Sequence, residues 1–99
     1  MACFEEISVD QVKNMIAKED VTLVDIRDPQ SYEDSHIPNA ISVNQTNIED
    51  FLQKEDRNKP IVCYCYQGFS SQNAAEYFYH NGFSKVYSMI GGFEAWRSS

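Results

Sequence analysis

Apolar positions along this chain recur in two alternating rhythms. In ISVDQVKNMIAKED, Val12, Met15 and Ile16 fall at i, i+3 and i+4, the spacing of one helical face, and Ser8 stands where an N-cap is wanted. VTLVDI, from Val21 to Ile26, is β-branched and nearly all apolar, which predicts a strand buried on both faces. Asp28-Pro29 supplies an N-cap and a first-turn proline for a short helix reaching about Ser35. AISV, from Ala40 to Val43, predicts a short strand, and NIEDFLQKED a helix with Ile48, Phe51 and Leu52 inward. PIVCYC, from Pro60 to Cys65, predicts another strand. SSQNAAEYFYHNG then predicts a helix closed by Asn81-Gly82. KVYSMI, from Lys85 to Ile90, holds the last strand, and GGFEAWRSS a turn and a short helix.

Strands alternating with helices predict an α/β fold with parallel pairing and right-handed crossovers. There is no internal repeat, low-complexity tract or linker, and 99 residues predict one domain over residues 1–99. Ligands of open α/β sheets gather at the carboxyl ends of the strands. Cys65 is placed there, as the last residue of its predicted strand and a few residues before a helix.

Composition narrows the function classes. A net charge of −7 argues against non-specific nucleic-acid binding, which neutralises phosphates with Lys and Arg, and against an anionic membrane surface. The opening MACFEEISVDQ has neither the basic nor the apolar region of a signal peptide. No run approaches the roughly 18 apolar residues of a spanning helix. Cys3, Cys63 and Cys65 lack metal-ligand spacing, and the histidines are only His36 and His80, so neither metal nor cofactor is expected. Free thiols fit a reduced, cytoplasmic protein.

The two neighbouring cysteines read differently. Cys63 lies inside the apolar run IVCY and reads as a small hydrophobe. Cys65 is followed by YQGFSS, in which Gly68 can take a positive φ and let the loop curl. Successive N–H groups in a curled loop converge into an anion nest. Ser70 and Ser71 then open a helix whose free N–H groups favour negative charge. A thiol at that focus ionises more easily than the reference of about 8.5. The loop alone leaves a second reading open: a buried cysteine at a strand end, with Gly68 as a turn residue.

Absences limit the chemistry. A cysteine phosphatase carries C-x5-R, because a phosphoryl dianion needs a bidentate guanidinium, and here that position is Ser71. A Cys-His hydrolase needs a positioned base, and His80 is late on the following helix while His36 is distant in sequence. CYC is not a CxxC redox pair. What remains is a thiolate attacking a soft sulfur, giving a persulfide anion that backbone donors can hold.

LVDIRDPQSYEDSHIPNAISV, CYQGFSS and GGFEAW, in that order, resemble the rhodanese family, and within it the GlpE-type single-domain thiosulfate sulfurtransferases. The resemblance runs from about Phe4 to Arg97. It implies a rhodanese-like central parallel sheet of about five strands flanked by helices on both faces. It also implies a six-residue loop from Cys65 to Ser70, with Cys65 as the sulfur acceptor. The amides of Tyr66, Gln67, Gly68, Phe69 and Ser70, with Ser71 adjoining, would bind the persulfide. The implied cycle is double displacement: sulfane sulfur passes from thiosulfate, or a persulfide, to Cys65 and then to cyanide or a thiol. A protein sulfur acceptor is a further partner that it allows.

The chain departs from many members of that family at Ser35, where glycine is common before the histidine, and at Ser70, where arginine is common. With no cation in the loop, thiosulfate rests on backbone dipoles, so weak affinity is expected, millimolar or weaker, worth about 4 kcal/mol or less. The alternative from another class is a persulfide carrier or interaction module with little turnover of its own. Asp25 and Arg27 read as a site-organising pair at a strand end, His36 as a hydrogen-bonded loop residue, and His80 as an exposed helix residue. Phe93 and Trp96 read as core anchors beside the Gly91-Gly92 turn. Tyr66 and Phe69 either line a substrate mouth or pack.

Overall fold

The expected rhythm of strands and helices closes into a single sheet. The computed structural model describes residues 4–99, so Cys3 lies outside the described residues. The strands are β1 (Glu5–Ile7), β2 (Thr22–Asp25), β3 (Ile41–Ser42), β4 (Ile61–Tyr64) and β5 (Val86–Met89). The helices are α1 (Val9–Lys18), α2 (Pro29–Asp34), α3 (Ile48–Lys54), α4 (Ser70–His80) and α5 (Gly92–Arg97). The strand order is β1-β5-β4-β2-β3, and every pairing is parallel.

Alternation along the strands sorts the core into two faces. Leu23, Val62, Tyr64 and Met89 pack with Val9 and Val12 of α1 and Phe93 of α5. Val24, Ile61, Cys63 and Val86 pack with Phe51 and Leu52 of α3 and Ala75 and Phe78 of α4. Helices therefore cover both faces, which is why β2 and β4 are buried at every position. A side chain as fully enclosed as Phe78 contributes about 1.5–3 kcal/mol through burial.

Helix ends follow local chemistry. Ser8 caps α1 in a reciprocal box with Gln11. The carboxylate of Asp28 accepts from the Ser31 N–H at the start of α2, with Pro29 as its first residue. Three details differ from the sequence expectation. β1 pairs with β5 along Glu5 to Ile7, yet its EEI segment has one buried residue and so carries no hydrophobic signal. The inward face of α1 runs through Val9 and Val12, leaving Ile16 exposed. β4 ends at Tyr64, one residue before Cys65. Tyr64 is in register with Asp25 of β2, so the ends of these two strands lie side by side.

Candidate active site

Cys65 leaves the end of β4 between two helices that start nearby. Its side chain is 3% exposed, close to the 0% of Cys63. Among the described residues, hydrogen bonds to Cys65 Sγ come from the N–H groups of Gly68 and Ser71, each at 3.2 Å. The Ser71 hydroxyl lies 3.5 Å from the same sulfur. Burial pushes the Cys65 thiol up, but the Ser71 hydroxyl and the N–H groups of Ser71, Gly68 and Gln67 together outweigh it. The net shift is downward from the ordinary thiol value.

The loop adopts this shape through its glycines. Gly68 has φ +98°, a left-handed conformation that side chains disfavour. A Cβ there would also meet the Gly91 nitrogen at 3.0 Å. Gly92, at φ +59°, approaches from behind, and a Cβ on it would stand 2.5 Å from the Cys65 carbonyl oxygen. That contact lets the Phe93 N–H donate to the Cys65 carbonyl at 2.8 Å and the Glu94 N–H to the Tyr66 carbonyl at 3.1 Å. With these carbonyls held by α5, later N–H groups of the loop are free to face the sulfur. Gly91-Gly92 is thus more than the turn that the sequence suggested, and two adjacent glycines were the available signal.

Asp25 and Arg27 stand behind this brace. Arg27 Nη2 is 2.7 Å from Asp25 Oδ2, Arg27 Nε shares both carboxylate oxygens, and the Arg27 N–H donates to Oδ1 at 2.8 Å. Burial alone would lower the Arg27 pKa, but its hydrogen bonds and charge attraction to Asp25 raise it. The guanidinium also donates to the Ser35 carbonyl at 2.6 Å and lies 4.2 Å from the Phe93 ring centroid. The pair therefore joins the end of β2, the end of α2 and the start of α5. It leaves the Arg27 charge matched by Asp25.

The other candidates are distributed around the loop. Tyr66 is exposed, and its phenol donates to Asp28 and lies 3.0 Å from the Ser31 hydroxyl, joining the loop to the cap of α2. Gln67 and Ser70 are exposed, and Phe69 is 74% exposed at the N-cap of α4. Phe69 therefore lies on the open side of the loop rather than packing. The His36 ring stacks on Tyr32 and its Nδ1 lies 2.7 Å from the Tyr32 carbonyl, so it is a structural loop residue. His80 lies on the exposed side of α4, 3.9 Å from Glu76. Trp96 is half-buried against the α1 face, with Lys13 over its ring.

One residue close to the sulfur carried no sequence assignment. Ser88 of β5 is buried, and its hydroxyl lies 2.8 Å from the Ser71 hydroxyl. Its signal was a polar side chain at a buried position of an apolar strand.

Comparison with known proteins gives a consistent result. A family model described as a rhodanese-like domain matches residues 8–99. A protein of Pseudoalteromonas translucida named thiosulfate sulfurtransferase GlpE is 45% identical over 96 residues, covering 97% of this chain and 91% of that protein. A protein of the same name from Shewanella oneidensis is 42% identical over 99 residues, covering 100% of this chain and 98% of its own. The crystal structure of a rhodanese-like domain protein from Staphylococcus aureus superposes with a TM-score of 0.82 at 30% identity, covering 94% of this chain and 91% of that one.

Proposed function

The chain belongs to the rhodanese-like family, and from that membership we propose that it is a thiosulfate sulfurtransferase working through a persulfide on Cys65. The observation that carries the proposal is the convergence of main-chain N–H groups on Cys65 Sγ, with a serine where a phosphatase would hold arginine.

The cycle has two displacements. The Cys65 thiolate attacks the outer sulfur of thiosulfate; the new S–S bond forms as the old one breaks, and sulfite leaves with its electron pair. The persulfide carries one negative charge, which the N–H groups of Gln67, Gly68 and Ser71 and the Ser71 hydroxyl would stabilise; that they surround Cys65 Sγ supports this reading. Cyanide or a thiolate then attacks the outer sulfur, and the electrons of the broken bond return to Cys65 as thiolate. No proton transfer to a side-chain base is required, in keeping with His36 and His80 being engaged elsewhere.

The site-organising role of Asp25 and Arg27 is to hold Phe93, and through its N–H the Cys65 carbonyl. Tyr66, Gln67, Gly68, Phe69, Ser70 and Ser71 make up the binding loop, although the inward donors are concentrated in Gln67, Gly68 and Ser71. The exposed rings of Tyr66 and Phe69 support a protein thiol as one acceptor, because small anions gain little from apolar surface. Among the described residues no helix is long and apolar enough to cross a membrane.

The test is direct. Incubation with thiosulfate should add the mass of one sulfur atom to the peptide holding Cys65, and cyanide should remove it as thiocyanate. Cys65→Ser should abolish both steps and Cys63→Ser neither; a sulfur adduct on Cys63 alone would overturn the assignment.

A further inference from the structure

Ser88 and Ser71 form a buried hydroxyl pair beside the sulfur of Cys65. Ser88 is in register with Cys63 across the β4–β5 pairing and follows Val86 on the strand row that faces α4. Hydrocarbon would fill that row well, and a buried hydroxyl costs free energy unless hydrogen-bonded. Ser88 is 1% exposed and Ser71 0% exposed, and the two hydroxyls meet at 2.8 Å. From Ser71 the line continues to Cys65 Sγ at 3.5 Å.

We infer that Ser88 is a positioning residue, which directs the Ser71 hydroxyl toward the sulfur of Cys65 whenever that sulfur is anionic. The inference rests on Cys65 being the reactive sulfur proposed above. Each serine has one hydroxyl proton to give. With Cys65 as a thiol, its S–H can donate to Ser71 Oγ, and the Ser71 hydroxyl is free to donate to Ser88. Once that thiol proton leaves for solvent, the Ser71 hydroxyl turns to donate to the sulfur anion. The Ser88 hydroxyl then donates to Ser71, replacing the bond that Ser71 gave up. No proton passes between the serines; only the direction of donation reverses. Donation by Ser88 polarises Ser71 and strengthens its bond to sulfur, as in other chained hydrogen bonds.

The test is the rate of alkylation of Cys65 by iodoacetamide against pH, with the modified peptide identified by mass spectrometry. Ser88→Ala should move the thiolate inflection upward by about half a unit to one unit, and Ser71→Ala by at least as much. The double variant should match Ser71→Ala alone, because Ser88 acts through Ser71. If Ser88→Ala does not fold, the pair Ser88→Thr and Ser88→Val decides the matter: equal in volume, they differ in the hydroxyl, and only valine should raise the inflection. A merely structural Ser88 would lower the melting temperature and leave the inflection in place, which would overturn the inference, as would additive effects of the two serines. Alkylation needs no turnover, so failure here is distinguishable from failure of the sulfurtransferase reading, which the sulfur adduct tests separately.

Discussion

Cys63 and Cys65 are two residues apart and both almost inaccessible to water, yet their thiols are displaced in opposite directions. Cys63 is surrounded by the hydrocarbon of Val24, Ile61, Phe78 and their neighbours. Burial there drives its thiol far above the ordinary range, and the neighbouring charge of Cys65 adds to the effect. Cys65 loses contact with water to nearly the same extent, yet its thiol is displaced downward. Low contact with water therefore does not fix the direction of the shift; Cys65 is packed less deeply than Cys63, and donors converge on its sulfur. Inside the sheet the backbone N–H groups are used by neighbouring strands. One residue past the strand end they are available, and Gly68 and α4 turn them onto the sulfur.

The strongest way to break this contrast is to exchange the two sulfurs for oxygen. Cys65→Ser should lower turnover of thiosulfate and cyanide by at least about a thousandfold, since a hydroxyl at that site is scarcely ionised and is a poor sulfur nucleophile. Cys63→Ser should stay within about twofold of the parent in a stability-corrected assay. Comparable losses in both would remove the distinction.

The next largest effect is expected at Gly92. Alanine there needs a left-handed backbone and puts a methyl against the Cys65 carbonyl. A fall in kcat/KM of about a hundredfold should follow from displacement of the loop. Sulfite release in single-turnover experiments measures it; an unchanged rate would show that α5 does not shape the cradle. Asp25→Asn leaves the buried Arg27 guanidinium without its counter-charge, and urea unfolding should record a loss of about 3–5 kcal/mol. A loss under about 1 kcal/mol, the value of an exposed pair, would place the pair outside the buried network.

The smallest effect is a pH dependence of stability. The folded pKa of Cys65 lies below its unfolded value, so its thiolate stabilises the fold fully above the unfolded thiol pKa. That contribution is lost as pH falls through the folded pKa. Replacing Cys65 with alanine should therefore remove a rise in melting temperature on the alkaline side, while Cys63→Ala should retain it.

Much of this arrangement was legible because local patterns and tertiary structure agree. VTLVDI read as a doubly buried strand and PIVCYC as a further strand, and helices do cover both faces of β2 and β4. Asp28-Pro29 marked α2 because capping is a property of a few adjacent residues. Gly68 marked the loop because positive φ has few other occupants. β1 escaped because Glu5 and Glu6 are held by backbone pairing to β5, and side-chain hydrophobicity does not report such pairing. Gly92 and Ser88 escaped as site residues for a related reason. Their partners, the Cys65 carbonyl and the Ser71 hydroxyl, are distant in sequence and become neighbours only once β5 lies beside β4. Ser71 was placed at the margin of the loop, whereas its N–H donates to the sulfur and its hydroxyl lies 3.5 Å from it.

The central claim is that the Ser71 hydroxyl and the loop's main-chain donors, without a cationic side chain, favour the thiolate of Cys65. Its most direct measurement is the ultraviolet thiolate absorbance of the Cys63→Ala protein as a function of pH, with a Cys63→Ala/Cys65→Ala protein subtracted. The account predicts a single titration attributable to Cys65, with its inflection below the free-thiol value of about 8.5. An inflection at or above that value would contradict it.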